Sequence, residues 1–196
     1  MFITRNFMKH QKLTLTLFIL VAFSCNKNDR NYIYQNYESL KSLRLDEIVS
    51  FESYKGSKER LYDNTFRLGE DYYPNNLKFK IANPRIFERK DKNLNLESDY
   101  FYNSKDSLVK TILYMWRNNN SSKDALVSET ANFKTLKKKY IELKKQLTHK
   151  LGKSSNPSLK PGCYLSLVSY CLWENKNMKA YLAIHREEIR LVIYSE

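Results

Sequence analysis

The pattern that most narrows the folds open to this chain lies in its last 34 residues, where two turn signals separate three strands. Asn175-Lys176 and Arg186-Glu187 are the predicted turns, and the strands run at about Cys163–Glu174, Asn177–His185 and Glu188–Tyr194. The expected neighbours are Trp173 with Met178, Cys171 with Ala180, Leu167 with Ile184, Ile184 with Ile189, Leu182 with Leu191 and Ala180 with Ile193. All of these residues point to the same side of the predicted sheet. Because a one-residue slip would move them to the other side, the pattern predicts an antiparallel meander.

A hairpin is predicted upstream, with strands at about Leu94–Tyr102 and Ser107–Trp116 around the polar turn Asn103–Asp106. Placing Tyr102 opposite Ser107 sets Asp99 against Lys110, an opposite-charge pair. On the other side, the same register aligns Tyr100 with Val109, Leu96 with Leu113 and Leu94 with Met115. A further strand is predicted at Leu77–Ile81, where apolar and basic residues alternate.

One long amphipathic helix is predicted between Asp124 and Leu151, because apolar residues recur there at steps of three and four. The stripe consists of Phe133, Leu136, Tyr140, Leu143, Leu147 and Leu151. Gly152 suits the position just after the helix. Much of the opposite side is filled by Lys137, Lys138, Lys139, Lys144 and Lys145. This side is interpreted as a solvated surface or, alternatively, as a patch for nucleic-acid or lipid phosphates.

These elements together predict an α+β fold with two layers, in which an antiparallel sheet of about six strands packs against one long amphipathic helix. Residues 37–73 receive no assignment, because their apolar residues suit a helix and short strands equally. Of the 196 residues, 42% are hydrophobic and only four each are Gly and Pro, which excludes a disordered or collagen-like chain.

The second side of the predicted meander is too apolar for a freely solvated surface. In one interpretation, residues 37–73 fold back and cover it. In the other, it is a binding surface, because exposed apolar patches usually mark a contact and because aromatic rings and arginine are enriched at such sites. The predicted binding residues on this side are Tyr170, Tyr181, His185, Arg190 and Tyr194.

The N-terminus has the three parts of a secretory signal peptide. Residues 1–12 are basic, Leu13–Phe23 is an apolar run of 11 residues, and small Ser24 precedes Cys25. The run is too short to span a bilayer, which takes about 20 residues. Ala22-Phe23-Ser24 fits ordinary signal peptidase, and with the following cysteine it also resembles the lipobox of bacterial lipoproteins. That resemblance covers residues 1–25 only, and it implies a diacylglycerol and a further acyl chain such as palmitate on Cys25.

The predicted organisation is therefore a signal peptide at 1–24, a lipidated Cys25 with a polar tether to residue 36, and one globular domain at 37–196. Export places the chain where disulfides persist. Cys163 and Cys171 nevertheless lie eight residues apart in one predicted strand, or about 26 Å, too far for a bridge. Both are predicted to be buried free thiols.

Patterns for catalysis or metal binding are scarce. The spacing of Cys163, Cys171 and His185 matches no zinc motif, and the chain has no phosphate-binding glycine loop and no nucleophile motif. The sequence therefore indicates no catalytic residue, no metal and no cofactor, and it disfavours an enzyme.

The function expected from these features is a non-enzymatic binding or assembly module, anchored to a bacterial membrane in the cell envelope. Its partner would be an envelope protein or a glycan. One alternative is a hydrolase that acts on envelope glycan or peptide polymers, with two carboxylates brought together from loops. Another is a basic domain for anionic lipid or nucleic-acid phosphates, since the formal net charge is +13; nucleic acid is the less expected of these.

Overall fold

A computed structural model describes residues 40–61, 82–118, 125–155, 167–175 and 178–195. The predicted signal peptide, Cys25 with its tether, the strand Leu77–Ile81 and the thiol of Cys163 lie outside these residues. Those expectations stay predictions.

Within the described residues the chain forms two helices and a seven-stranded antiparallel sheet, which confirms the α+β class. The helices are α1 (Leu45–Tyr54) and α2 (Ala125–Leu151). The strands are β1 (Lys58–Arg60), β2 (Arg85–Asp91), β3 (Leu94–Tyr102), β4 (Val109–Asn118), β5 (Leu167–Asn175), β6 (Met178–His185) and β7 (Glu188–Ser195). Their order in the sheet is β1-β2-β3-β4-β7-β6-β5, one strand more than the six or so expected.

The C-terminal meander is confirmed, and the register between β6 and β7 is the predicted one, with Leu182 opposite Leu191. Between β5 and β6 the predicted register is wrong by two residues, because the turn comes one residue later, between Asn175 and Met178. Trp173 therefore pairs with Ala180. A shift by two keeps every side chain on its predicted side, since the side-chain period of a strand is two.

Leu167 is an exception in this meander. It pairs with His185 and not with Ile184, because the register shifts between Leu167 and Ser169. Cys171 in the same strand is a free, buried thiol, as predicted.

The predicted hairpin is formed by β3 and β4, but its predicted register is wrong. Asp99 pairs with Leu113 and not with Lys110, and Tyr102 pairs with Val109 and not with Ser107. The physical reason is a longer turn and an irregularity at its base. The Ser107 backbone N–H donates to the Asn103 carbonyl at 2.9 Å with Ser107 at φ 58°, and the register then shifts between Phe101 and Tyr102.

The shift beyond that irregularity amounts to three residues, an odd number, so β4 presents the opposite side to the one predicted. Leu113 and Met115 share a side with Asp99, while Trp116 pairs with Leu96. We call the side of the sheet that carries Leu96, Trp116, Cys171, Trp173, Leu182 and Leu191 the first face. The second face carries Asp99, Phe101, Leu113, Met115, Tyr181, Val192 and Tyr194.

Helix α2 is confirmed at almost the predicted bounds. Its stripe residues Leu136, Tyr140, Leu143 and Leu147 are buried. Gly152 follows at φ 86°, a left-handed conformation that an L side chain rarely adopts, and its N–H donates to the Thr148 carbonyl at 3.0 Å.

Two side chains of α2 contact the first face of the sheet. The Tyr140 hydroxyl lies 3.2 Å from Ser169 Oγ and 3.4 Å from Cys171 Sγ. Lys139 Nζ lies 2.8 Å from Asp91 Oδ2 and 5.4 Å from the centre of the Trp116 ring.

Helix α1 lies in the segment that sequence patterns left without assignment. It begins after Arg44, whose N–H donates to the Glu47 carboxylate at 2.9 Å, an interaction typical of a capped helix start. Its buried Glu52 accepts hydrogen bonds from the Tyr100 hydroxyl and from Arg89, whose strands present both side chains on the first face. In the interpretation that residues 37–73 cover the second face, α1 is therefore not the covering element, because its Glu52 contacts the first face. Residues 62–73 lie outside the described part, so this interpretation stays open for them.

Candidate binding cleft

A row of alternating charges crosses the second face of the sheet. We call it the charge ladder, and it consists of Arg190, Glu188, Arg117, Glu97, Arg60 and Glu88. Arg190 pairs with Glu188, which lies 2.9 Å from Arg117; Arg117 and Arg60 each lie 3.3 Å from Glu97. Arg60 also lies 3.1 Å from Glu88. The ladder thus joins residues of β7, β4, β3, β1 and β2.

The register of the strands explains why the ladder forms. Glu88 and Glu97 are direct cross-strand partners, and two like charges in that position repel each other. Arg60 of the short strand β1 bridges both carboxylates with one guanidinium group, whose planar fork suits such a geometry. Glu97 is almost buried at 9% exposure, so this compensation matters more than at an exposed surface pair.

The ladder ends in a cleft of about 720 Å³ at the β1 end of the sheet. This volume lies within the range of small-molecule sites, about 300–1,000 Å³. Its wall carries six basic and two acidic side chains, together with two amides and two apolar residues. They are Lys55, Lys58, Arg60, Arg89, Lys90, Arg117, Glu88, Glu97, Asn95, Asn118, Leu96 and Met115. The lining is therefore net positive by four charges.

One basic side chain of the wall, Arg89, forms an ion pair with a buried acidic residue. Arg89 pairs with Glu52, which is fully buried and also accepts hydrogen bonds from Tyr100 and Ser57. Burial alone would lower the pKa of Arg89, but the neighbouring Glu52 carboxylate raises it overall. The guanidinium thus stays charged where α1, the loop after it and the first face meet.

A second buried carboxylate, Asp99, lies two residues from Glu97 on β3 and belongs to the same side of the sheet. It is 1% exposed, and within the described part of the chain no donor reaches its Oδ1. Burial raises the pKa of Asp99 to about 7, the Glu97 charge adds to the rise, and Arg60 and Arg117 oppose it. The carboxyl is therefore neutral over part of the physiological pH range.

The five predicted binding residues all belong to the second face. The rings of Tyr170 and Tyr181 are 5.5 Å apart, and both residues are half-buried, as is Arg190. His185 and Tyr194 are buried, at 6% and 5% exposure. Burial lowers the pKa of His185, and the Arg190 charge lowers it further against the opposing effect of Glu188. Their role in binding stays a prediction.

The structure joins one of these five residues, Arg190, to the cleft through the charge ladder. Sequence patterns missed the other ladder residues because the members come from segments far apart in the chain. The one local signal was the charged run Glu88–Asp91, which lies in β2 but in none of the strands predicted from the sequence.

Among the described residues, no three His, Cys, Asp or Glu side chains come together as a metal-binding group. Neither described helix combines the length and the apolar character that crossing a membrane requires. No protein family, curated protein or solved structure matches this chain.

Proposed function

We propose that this protein is a lipid-anchored binding module of a bacterial cell envelope, and that the cleft at the β1 end of the sheet holds its ligand. The net positive wall of the cleft is the observation that carries the proposal. Concave sites of this size with a few convergent polar groups are the usual form of a ligand site. Binding does not require catalytic groups, and none was assigned from the sequence.

The composition of the wall favours a polar ligand with a negative charge. The excess of lysine and arginine in the wall attracts a carboxylate or phosphate. The amides of Asn95 and Asn118 can donate to and accept from hydroxyl groups, while Leu96 and Met115 supply apolar surface. An acidic envelope glycan, or a glycan that carries a peptide, has all of these features.

The hydrolase alternative is less favoured by this geometry. Glu88 and Glu97 are the two carboxylates of the wall, but both are engaged by the Arg60 guanidinium. A glycosidase pair instead flanks the scissile bond of the substrate, with one carboxyl group acting as the acid.

The cleft is tested by titrating the protein with two probes, a disaccharide-peptide fragment of cell wall and inorganic phosphate. Lys58 is exposed in β1, so its reversal should disturb the cleft charge and little else. We expect Lys58→Glu to weaken binding about tenfold, equivalent to about 1.4 kcal/mol. The matched control is Lys105→Glu, which reverses an exposed lysine in the β3–β4 turn outside the cleft wall.

The cleft proposal would be contradicted if Lys58→Glu and Lys105→Glu changed the affinity for the probes equally. It would also be contradicted if the unaltered protein bound neither probe. Equal affinity for the two probes would show that the cleft recognises only the charged group of its ligand.

The location is proposed from the N-terminal segment alone. Ser24-Cys25 after the apolar run supports export and acylation, and two acyl chains would give stable anchoring. Labelled palmitate should attach to the unaltered chain, and Cys25→Ser should abolish both the label and membrane fractionation. Membrane fractionation that survives this substitution would contradict the anchor.

The proposal includes a two-layer arrangement in which α2 covers the first face of the sheet. The Tyr140 hydroxyl near Cys171 and the Lys139 ion pair with Asp91 support it. The charge ladder would then lie on the second face, and the cleft at the β1 end of the sheet, where residues of both faces line it.

A further inference from the structure

An isoleucine is exposed in the middle of the lysine-rich side of α2. Ile141 is 55% exposed, although Tyr140, one position before it, and Leu143, two positions after it, belong to the buried stripe of the same helix. Residues three and four positions away are its neighbours on the helix surface. All four of these neighbours are lysines: Lys137, Lys138, Lys144 and Lys145. We call Ile141 with these four residues the lysine–isoleucine patch.

The patch keeps a net positive charge within the described part of the chain, because Glu142, three or four positions from Lys138 and Lys145, is the one acidic neighbour of its four lysines on the helix. None of its four lysines has an ion-pair partner there, and Lys137, Lys138 and Lys145 are exposed. Glu142 is the one acidic residue between 132 and 151, and it lies 3.7 Å from Lys92, a residue of the β2–β3 turn.

Helices that merely face water usually alternate the sign of their charges, because opposite charges at three or four positions stabilise the helix and like charges destabilise it. Here Lys134 adds a like-charge neighbour to both Lys137 and Lys138. A net cationic surface with an exposed apolar side chain at its centre is typical of contact with an anionic surface that also has an apolar layer.

We propose that the lysine–isoleucine patch docks on an anionic phospholipid bilayer. In this arrangement the lysine ammonium groups contact lipid phosphates, their aliphatic stems lie along the interface, and Ile141 enters the boundary between headgroups and acyl chains. The inference rests on the proposed membrane location, because an acylated Cys25 would hold the chain beside such a surface. A nucleic-acid backbone offers the same phosphates but no apolar layer for Ile141, which favours the bilayer.

The test compares lysine accessibility on two kinds of vesicle. The full chain is reconstituted with neutral phosphatidylcholine vesicles, or with vesicles in which about a third of the lipid is phosphatidylglycerol, and is treated with a lysine-acetylating reagent. We expect acetylation of the four patch lysines to fall about fivefold or more on anionic vesicles. Lys105, which is exposed in the β3–β4 turn, should be acetylated equally on both. Salt at about 1 M, where screening acts within about 3 Å, should restore acetylation of the patch.

A matched pair of variants tests the apolar part of the proposal. Ile141→Ser should require about tenfold more anionic lipid for the same protection of the patch. Val168→Ser removes an apolar side chain of similar exposure, 52%, on β5 and should leave the protection unchanged. Both sites are exposed, so neither substitution removes a core contact.

Equal acetylation of the patch on neutral and anionic vesicles would overturn the proposal. So would protection by a short single-stranded DNA that Ile141→Ser leaves unaltered, because the patch would then be a nucleic-acid site. Failure of the anchor is a separate result. It would appear as loss of flotation with neutral vesicles. The patch proposal is tested by a different quantity, which is the difference in lysine acetylation between neutral and anionic vesicles.

Discussion

Asp99 provides the sharpest test of how this sheet is held together, because it is a carboxyl group buried where the hairpin prediction expected a cross-strand ion pair. Its neighbours across the strands are Ile86 and Leu113, both apolar. The perturbation is Asp99→Asn, which keeps the shape of the side chain and removes its charge. The quantity of interest is the free energy of unfolding of the variant relative to the unaltered protein as a function of pH.

The magnitude follows from the pKa of Asp99, which rises from 3.8 to about 7 in the folded protein. Between these values the folded state retains a proton that the unfolded state has released. The free energy of unfolding therefore falls as the pH rises through this interval. Each pH unit corresponds to about 1.4 kcal/mol, so the whole interval amounts to roughly 4 kcal/mol. Below about pH 4 both states are protonated, and this effect is absent.

The assay is urea denaturation followed by tryptophan fluorescence, at a series of values from about pH 4 to about pH 8. We expect Asp99→Asn to gain roughly 4 kcal/mol relative to the unaltered protein over that range, as an order of magnitude. Asp46→Asn is the control, because Asp46 is an exposed residue of α1, and its difference curve should stay within about 1 kcal/mol. A flat difference curve for Asp99→Asn would refute the reasoning, since the carboxyl would then ionise in the folded sheet as easily as in the unfolded chain.

Two further predictions concern the packing around the sheet, the first of them with a matched comparison variant. Glu52→Gln should lower the free energy of unfolding by about 3 kcal/mol, because it leaves the Arg89 charge without its buried partner. Glu59→Gln removes the partner of the more exposed Arg85, so it should lower the free energy of unfolding by about 1 kcal/mol or less. Urea denaturation of both variants measures this difference, and similar losses would contradict a special role for the Glu52 site. Leu143→Ala, at a position of α2 that is 1% exposed, should cost about 2–5 kcal/mol in the same assay. A loss below about 1 kcal/mol would show that this side of α2 is not part of the core.

The ligand proposal and the membrane proposal use different surfaces and can fail separately. The cleft lies at the β1 end of the sheet, while the lysine–isoleucine patch lies on α2. Lys58→Glu should therefore leave protection of the patch by anionic vesicles unchanged, and Ile141→Ser should leave binding in the cleft unchanged. A module with both surfaces would hold a charged envelope ligand close to the membrane.

Local patterns were sufficient for the elements whose contacts are close in sequence. The stripe of α2, its end at Gly152 and the β6–β7 register, with Leu182 opposite Leu191, are all decided within a few residues of chain. A helix period or a tight turn limits the alternatives so strongly at this range that few other arrangements bury the same side chains.

The hairpin shows where such reasoning fails. Its strands were recognisable, but the left-handed backbone at Ser107 and the irregularity beside Tyr102 shifted the register by an odd number. That shift moved Asp99 from a predicted ion pair into the interior. Neither feature has a signal in residue type alone, because serine and tyrosine adopt regular turn and strand conformations as well.

The sequence by itself determined the α+β class, the long helix, the antiparallel meander and the side to which its apolar residues point. Only the tertiary structure decided the neighbours of β4, the burial of Asp99 and the assembly of a basic cleft from strands that are distant along the chain. The physical reason is that the periodicity of a strand specifies which side chains share a side. Which strands meet, and so which charges lie opposite each other, depends on burial and electrostatic compensation summed over the whole sheet.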